Sequence, residues 1–172
     1  MPELIPVLSA AEIRRLVLAM AQQIEADYRG RNLVLIGVLK GSFIFLSDLI
    51  RALDVPVKID FVQAASYGVG TESSGSVQLL KGINLDIRSQ DVLLVEDIVD
   101  TGLTIRWISD YLKSFQPQSV GVCALIDKRE RRESDVPIQY TGYVAGSGFL
   151  VGYGLDFAEQ YRNLPGLYEL IP

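Results

Sequence analysis

The feature that most constrains the fold is a set of short apolar runs with no polar alternation, each followed by a segment of helical period. Residues 33–39, Val92-Leu93-Leu94-Val95 and residues 120–126 are runs of this kind. A strand covered on one face alternates apolar and polar side chains, whereas a strand covered on both faces does not. These runs therefore read as strands buried on both sides. Apolar residues recur at Ile13, Leu16, Val17, Met20 and Ile24, at Leu46, Leu49, Ile50 and Leu53, and at Ile105, Ile108, Leu112 and Phe115. That spacing predicts amphipathic helices. Buried strands alternating with helices imply βαβ units, hence an α/β fold around a mainly parallel sheet flanked by helices. Ligands of such sheets collect beyond the carboxyl ends of the strands. The residues just after Leu39, Val95 and Ile126 are the first place to look for a site.

Local signals mark the boundaries. Ser9 followed by Glu12 has capping-box form, and the first helix should end before Gly30. Asp54 and Pro56 close the second, and the third is expected from Thr101 to Phe115. Residues 57–65 read as a strand. Residues 66–76 are rich in Gly, Ser and Thr without apolar period, which suggests a flexible loop. A strand at 77–81 would complete a long hairpin. Shorter strands are expected at 139–144, 149–153 and 168–171. No repeat or interdomain linker interrupts the 172 residues, which read as a single domain over 1–172.

Composition removes several chemistries. There is no histidine and a single cysteine, so imidazole catalysis, His-ligated zinc and an internal disulfide are impossible. Cys123 lies in an apolar run and reads as a buried small hydrophobe. Proton transfer must fall to Asp, Glu, Lys, Tyr or water. A net charge of −5 argues against a nucleic-acid partner. It leaves room for a phosphate ligand, which backbone amides and a metal can neutralise locally. No apolar run is long enough to cross a bilayer, and Met1-Pro2-Glu3-Leu4 lacks the start of a signal peptide. A cytoplasmic protein without a membrane partner is expected.

The chemistry concentrates in one segment. Glu96, Asp97 and Asp100 follow the central run, and Thr101-Gly102-Leu103-Thr104 opens a helix. Free N–H groups at a helix start suit a phosphate, Thr101 and Thr104 add hydroxyls, and Gly102 lets the backbone come close. Carboxylates next to a phosphate need hydroxyls or Mg²⁺ between them. The residues point to a phosphorylated sugar with its ring hydroxyls near Glu96 and Asp97. An ordinary helix start with Asp100 as N-cap is the plainer alternative; it leaves the two preceding acids unexplained. A Walker-type motif is absent, and Gly146 to Gly152 matches a dinucleotide fingerprint only loosely.

The run Val95-Glu96-Asp97-Ile98-Val99-Asp100-Thr101-Gly102-Leu103-Thr104 resembles the phosphoribosyl-diphosphate motif of the hypoxanthine and hypoxanthine–guanine phosphoribosyltransferases. Leu39-Lys40-Gly41-Ser42, Ser66-Tyr67, Asp127-Lys128-Arg129 and Phe149 to Asp156 look like further family segments in the right order, with Arg162 beyond them. The resemblance implies a type I phosphoribosyltransferase fold with a small hood made from the N- and C-terminal segments. It implies transfer of the 5-phosphoribosyl group from its 1-diphosphate to N9 of a 6-oxopurine, with Mg²⁺ as cofactor, in a homodimer or homotetramer. Asp100 would be the general base near purine N7. Asp100, Thr101, Gly102, Leu103 and Thr104 would cradle the 5′-phosphate. Glu96 and Asp97 would hold the ribose hydroxyls directly or through Mg²⁺, and Asp156 would serve a second Mg²⁺. Lys40, Gly41 and Arg162 would meet the diphosphate, Lys40 from a turn that often holds a non-proline cis peptide. Ser66 and Tyr67 would lie on a loop that closes over the site. Lys128 would donate to the 6-oxo oxygen, Phe149 would stack on the purine, and the Leu150 backbone would read its edge.

Two competing readings share this fold. One is a regulatory RNA-binding protein, disfavoured by the acidic balance and the lack of a basic stripe. The other is an enzyme of the same family for xanthine, adenine or uracil; Lys128 and the 149–156 segment favour a 6-oxopurine.

Overall fold

The computed structural model describes residues 2–67 and 76–172. A six-stranded sheet has the order β4-β3-β2-β5-β6-β7. Its members are β2 (Leu33–Val38), β3 (Val57–Tyr67), β4 (Ser76–Lys81), β5 (Asp91–Val99), β6 (Ser119–Lys128) and β7 (Tyr140–Ala145). β3, β2, β5, β6 and β7 run parallel, and β4 pairs antiparallel at the edge. A second sheet joins β1 (Glu3–Leu8), β9 (Leu167–Ile171) and β8 (Leu150–Val151) in that order, so that the N- and C-terminal segments lie side by side.

Among the described residues three helices link these strands, and each has a sequence reason to be where it is. α1 (Ala10–Tyr28) opens on the expected capping box: the Glu12 amide donates to Ser9 Oγ at 3.2 Å and the Ser9 amide to Glu12 Oε2 at 2.8 Å. Ile13, Val17, Met20 and Ile24 form its buried stripe. α2 (Phe43–Ala52) connects β2 to β3 and buries Phe45, Leu46 and Leu49 on the α1 side of the sheet. α3 (Leu103–Lys113) connects β5 to β6 and buries Ile105, Ile108 and Leu112 on the opposite side. The continuous apolar runs are explained by this arrangement. Leu33, Leu35, Leu93 and Val95 meet α1 and α2, while Val34, Ile36, Val92 and Leu94 meet α3. Each such side chain removed from water stabilises the fold by roughly 1.5–3 kcal/mol.

From β2 the chain crosses to one neighbour, β3; from β5 it crosses the other way, to β6. The strands β2 and β5 are adjacent and parallel, with Gly37 opposite Val95. A crevice therefore opens beyond their carboxyl ends, at a topological switch point.

Several expectations need correction. β3 continues through Ser66 and Tyr67, which pair with Val77 and Ser76, so these two residues end a strand instead of opening a loop. The remainder of the expected flexible loop, 68–75, lies outside the described residues. β5 continues to Val99, so Glu96 and Asp97 belong to the strand. The N-cap of α3 is Gly102 at φ +82°, not Asp100, and the helix proper ends at Lys113. β8 has only Leu150 and Val151, because Gly152, Tyr153 and Gly154 all take positive φ and turn the chain away. β1 was not foreseen.

Candidate active site

The crevice is built from segments that approach too closely for side chains. After β2 the Leu39–Lys40 peptide is cis, and Gly41 follows. A Cβ on Gly41 would lie 1.9 Å from Asp97 Oδ2, and one on Gly154 would lie 2.3 Å from the Gly41 carbonyl oxygen. Glycine at these two positions lets the ends of β2 and β5 and the turn after β8 meet.

Glu96 and Asp97 form an adjacent acid pair at this meeting point. The Asp97 amide donates to Glu96 Oε1 at 3.1 Å, and the Ile98 amide donates to Asp97 Oδ1 at 2.8 Å. Glu96 is buried. Its desolvation, and then the neighbouring Asp97 charge, push its carboxyl well above the usual carboxylate range. A pair in this condition gains from a cation or from donated hydroxyl hydrogen bonds.

Next along the chain lies a cavity of about 190 Å³ lined by Glu96, Asp97, Asp100, Thr101, Gly102 and Thr104 among others. Asp100 Oδ1 is buried and has no hydrogen-bond partner among the described residues, and Oδ2 accepts from Arg131 Nη1 at 3.4 Å. Thr101 Oγ1 accepts from the Leu103 amide at 3.3 Å, and the first helical bond runs from the Arg106 amide to the Gly102 carbonyl at 3.0 Å. The amides ahead of Arg106 thus have no acceptor within the helix, which favours an anion there. Ser66 Oγ lies 3.3 Å from Thr104 Oγ1, so the end of β3 touches the same turn.

The far side of the crevice carries Lys128 and Phe149. Lys128, at the end of β6, is buried and donates from Nζ to the Gly148 carbonyl at 2.7 Å. Phe149 is 50% exposed and meets Phe157 edge to face, with centroids 5.6 Å apart. Half its surface is free, which core packing would not leave. Leu150 is buried in β8, and the Phe149 carbonyl accepts from the Leu170 amide of β9 at 2.8 Å.

Lys40, Asp156 and Arg162 converge through a residue that the sequence reading missed, Glu159. Lys40 Nζ is 2.9 Å from Glu159 Oε2, and Arg162 Nη2 is 3.2 Å from Glu159 Oε1 and 3.0 Å from Asp156 Oδ1. Arg162 Nη1 donates to the Gly154 carbonyl at 2.8 Å, which ties this group to Gly41. The hydrogen bond and charge of Lys40 hold the Glu159 carboxyl below its ordinary range. Phe157 and the Asp127–Arg132 pair were also missed. An aromatic directly after an acid in a Gly-rich turn was the available signal for Phe157; nothing local marks Arg132. Among the described residues no group of three acids closes into a metal cluster: Glu96 and Asp97 stand together, and Asp156 faces Arg162.

A larger cavity, about 540 Å³, lies between α1, α2 and residues 163–165. Its acid, Asp48, already accepts from the Tyr153 hydroxyl and from Arg51, so it lacks the unpartnered polar atoms of the smaller one.

Acids at the end of a central strand, a turn of amides free within their helix and a glycine-lined crossing at the switch point together suit an anionic, hydroxyl-bearing ligand. Residues 7–158 match the family model described as phosphoribosyl transferase domain, and the chain belongs to that family. Its sheet is the type I phosphoribosyltransferase fold. Within the family it is similar to enzymes that act on hypoxanthine. It is 45% identical to the hypoxanthine-guanine phosphoribosyltransferase of Aquifex aeolicus, over 94% of this chain and 91% of that protein. It is 42% identical to the hypoxanthine phosphoribosyltransferase of Salmonella typhimurium, over 94% and 92%. A crystal structure of the Staphylococcus aureus hypoxanthine phosphoribosyltransferase superimposes with a TM-score of 0.94 at 41% identity, covering 97% of this chain and 91% of that one. Among the described residues no helix is long and apolar enough to cross a membrane.

Proposed function

We infer that the protein transfers the 5-phosphoribosyl group of 5-phosphoribosyl 1-diphosphate to N9 of hypoxanthine, and of guanine, giving IMP or GMP and diphosphate in purine salvage. The observation that carries this reading is the buried oxygen of Asp100, without a partner among the described residues, beside a cavity lined by Thr101, Gly102 and Thr104. The C1–O bond to diphosphate breaks as the N9–C1 bond forms, and the purine proton passes to the Asp100 carboxylate near N7. The amides and hydroxyls of Thr101, Gly102, Leu103 and Thr104 take the 5′-phosphate. Lys40, the Gly41 amide and Arg162 take the departing diphosphate, in place of the Glu159 carboxylate. Lys128 donates to the 6-oxo oxygen, the free face of Phe149 receives the purine ring, and the Leu150 backbone reads its edge. Ser66 and Tyr67, at the mouth of the hairpin, close over the sugar and keep water from it.

The donor set suits Mg²⁺. Hard carboxylate oxygens are what the ion takes, and among the described residues no lysine or arginine offsets the buried Glu96 beside Asp97. Glu96 and Asp97 would hold the ion that meets the ribose hydroxyls, and Asp156 the ion that meets the diphosphate. Bound there, Mg²⁺ supplies positive charge against the leaving diphosphate. The small sheet of β1, β9 and β8 serves as the hood over the base within one domain, 1–172. The protein acts in the cytoplasm as a homodimer or homotetramer, which light scattering on the purified chain tests.

A spectrophotometric assay with the sugar diphosphate, Mg²⁺ and each base in turn tests the function. Turnover with hypoxanthine is expected, and with guanine, and excess chelator is expected to abolish it. Tight, salt-sensitive RNA binding without base turnover would replace this reading with the regulatory one.

A further inference from the structure

The turn that carries Asp100 is not held by its own helix. Asp100 is not the N-cap, and Gly102 enters α3 from the left-handed region. The turn is held instead from outside, by residues beyond β6. Arg132 Nε donates to the Asp100 carbonyl at 2.9 Å, and Arg132 Nη2 donates to the Val99 carbonyl at 3.2 Å. The same Nη2 reaches the Lys128 carbonyl at 3.4 Å and Asp127 Oδ1 at 2.5 Å. Asp127 is 2% exposed, and its other oxygen accepts from Arg129 Nε at 2.8 Å. Burial alone would raise the Asp127 carboxyl, but the two arginines outweigh it and hold it below the usual range, so it is charged at neutral pH. One planar guanidinium therefore spans the carbonyls of Val99 and of Asp100 itself, a buried anion and the strand end that carries Lys128.

A neighbouring contact is independent of this one. The Thr101 carbonyl accepts from the Glu133 amide at 2.8 Å and the Ser134 amide at 3.0 Å. These backbone bonds hold the phosphate side of the turn and do not involve the Arg132 side chain.

We propose that Arg132, fixed by the buried Asp127, is a positioning residue for Asp100: it sets the backbone on which the base stands and locks that backbone to the Lys128 end of β6. The inference rests on the reading of Asp100 as the base. Its consequence is a split. Losing the Arg132 fork displaces Asp100, which acts on the transition state, while the Thr101 turn keeps its own anchors and continues to bind nucleotide phosphate. Misplacing a catalytic group by an ångström can cost on the order of a hundredfold, so even partial displacement is measurable.

The test uses the full chain and the Arg132→Lys variant. Lysine keeps the charge but is a single point donor, unable to hold two carbonyls and a carboxylate in one plane. Turnover is expressed per IMP-binding site, titrated calorimetrically, so that unfolded chains drop out. The expected result is a fall in kcat of about tenfold or more, with IMP affinity and KM for the sugar diphosphate within about threefold of the parent. Asp127→Asn, which leaves Arg132 in place without its anchor, is expected to fall in the same direction by less. A kcat per site in Arg132→Lys within about twofold of the parent overturns the proposal, as does loss of IMP binding in proportion to turnover. Asp100→Asn is assayed alongside. If that variant keeps full turnover, the reading of Asp100 fails; if it loses turnover while Arg132→Lys does not, only the positioning role fails.

Discussion

On the proposed reading the chemistry turns on Asp100, whose two oxygens are unequal: one meets Arg131, and the other is buried with no partner among the described residues. A carboxylate oxygen left bare inside a cavity is costly unless a ligand completes it. Replacing Asp100 by Asn keeps the shape and removes the base. Turnover is expected to fall by roughly a hundredfold or more, while sugar-diphosphate binding persists in a calorimetric titration. Unchanged turnover would take Asp100 out of the mechanism. Gly41 makes a different kind of demand. With a Cβ only 1.9 Å from Asp97 Oδ2, Gly41→Ala must move either the turn or the acid pair. Activity is expected to drop about tenfold or more with an unchanged circular dichroism spectrum. Phe149, half exposed, is expected to contribute about 1–3 kcal/mol by stacking on the base. Phe149→Ala should raise KM for hypoxanthine and leave KM for the sugar diphosphate near its parent value; equal effects on both would argue against a stacking role.

Among the elements, α1 and α3 show how different two helix starts can be. α1 begins with reciprocal hydrogen bonds between Ser9 and Glu12, and Ser9→Ala is expected to cost about 1 kcal/mol, read as a drop of roughly 2–4 °C in the melting midpoint. α3 begins on a left-handed glycine and borrows its support from the segment after β6. This contrast also explains what the sequence made legible. The capping box and the apolar runs depend on neighbours in sequence, so α1, β2 and β6 could be read directly. The extension of β5 through Glu96 and Asp97 could not, because acids inside a strand mimic the onset of a loop; only pairing with Ala124 and Ile126 of β6 reveals it. β1 escaped notice because it is an edge strand with Pro6 in its middle and is fixed by pairing with distant β9. Within the site, the residues proposed to touch substrate carried recognisable motifs. Glu159 and Arg132 did not, since their meaning comes from partners 119 and 32 positions away.

At the scale of the molecule, two buried carboxylates are expected to contribute to the acid limit of stability. Asp60 accepts from the Phe61, Asn84 and Leu85 amides at 2.7, 2.6 and 2.9 Å. For both Asp60 and Asp127 burial raises the carboxyl, but donors and positive charge prevail and leave it below its ordinary value. A folded-state pKa below the unfolded one means that the unfolded chain takes up protons first as acid is added. The stabilisation from these groups is thus complete above the unfolded value of about 4 and is lost as pH falls through the folded ones. Urea midpoints are expected to change little between pH 7 and 5 and to fall steeply below pH 4. Asp60→Asn should lower the midpoint at pH 7 and flatten that acid limb; a limb as steep as the parent's would show that Asp60 plays no part in it. Glu96 works in the opposite sense. Its raised carboxyl favours the folded state when protonated, and that contribution is lost as pH rises through its folded value.

β9 joins β1 on one side and β8 on the other, and its Leu170 amide secures the carbonyl of Phe149. A ribosome delivers residues in order, so this strand emerges after every element that it anchors. The Asp100 turn and the parallel sheet need no residue of β9, whereas the Phe149 segment proposed to receive the base does. On the proposed reading, a chain cut before Leu167 is expected to keep the Asp100 turn and to bind purine weakly, because Phe149 then loses its bond to Leu170.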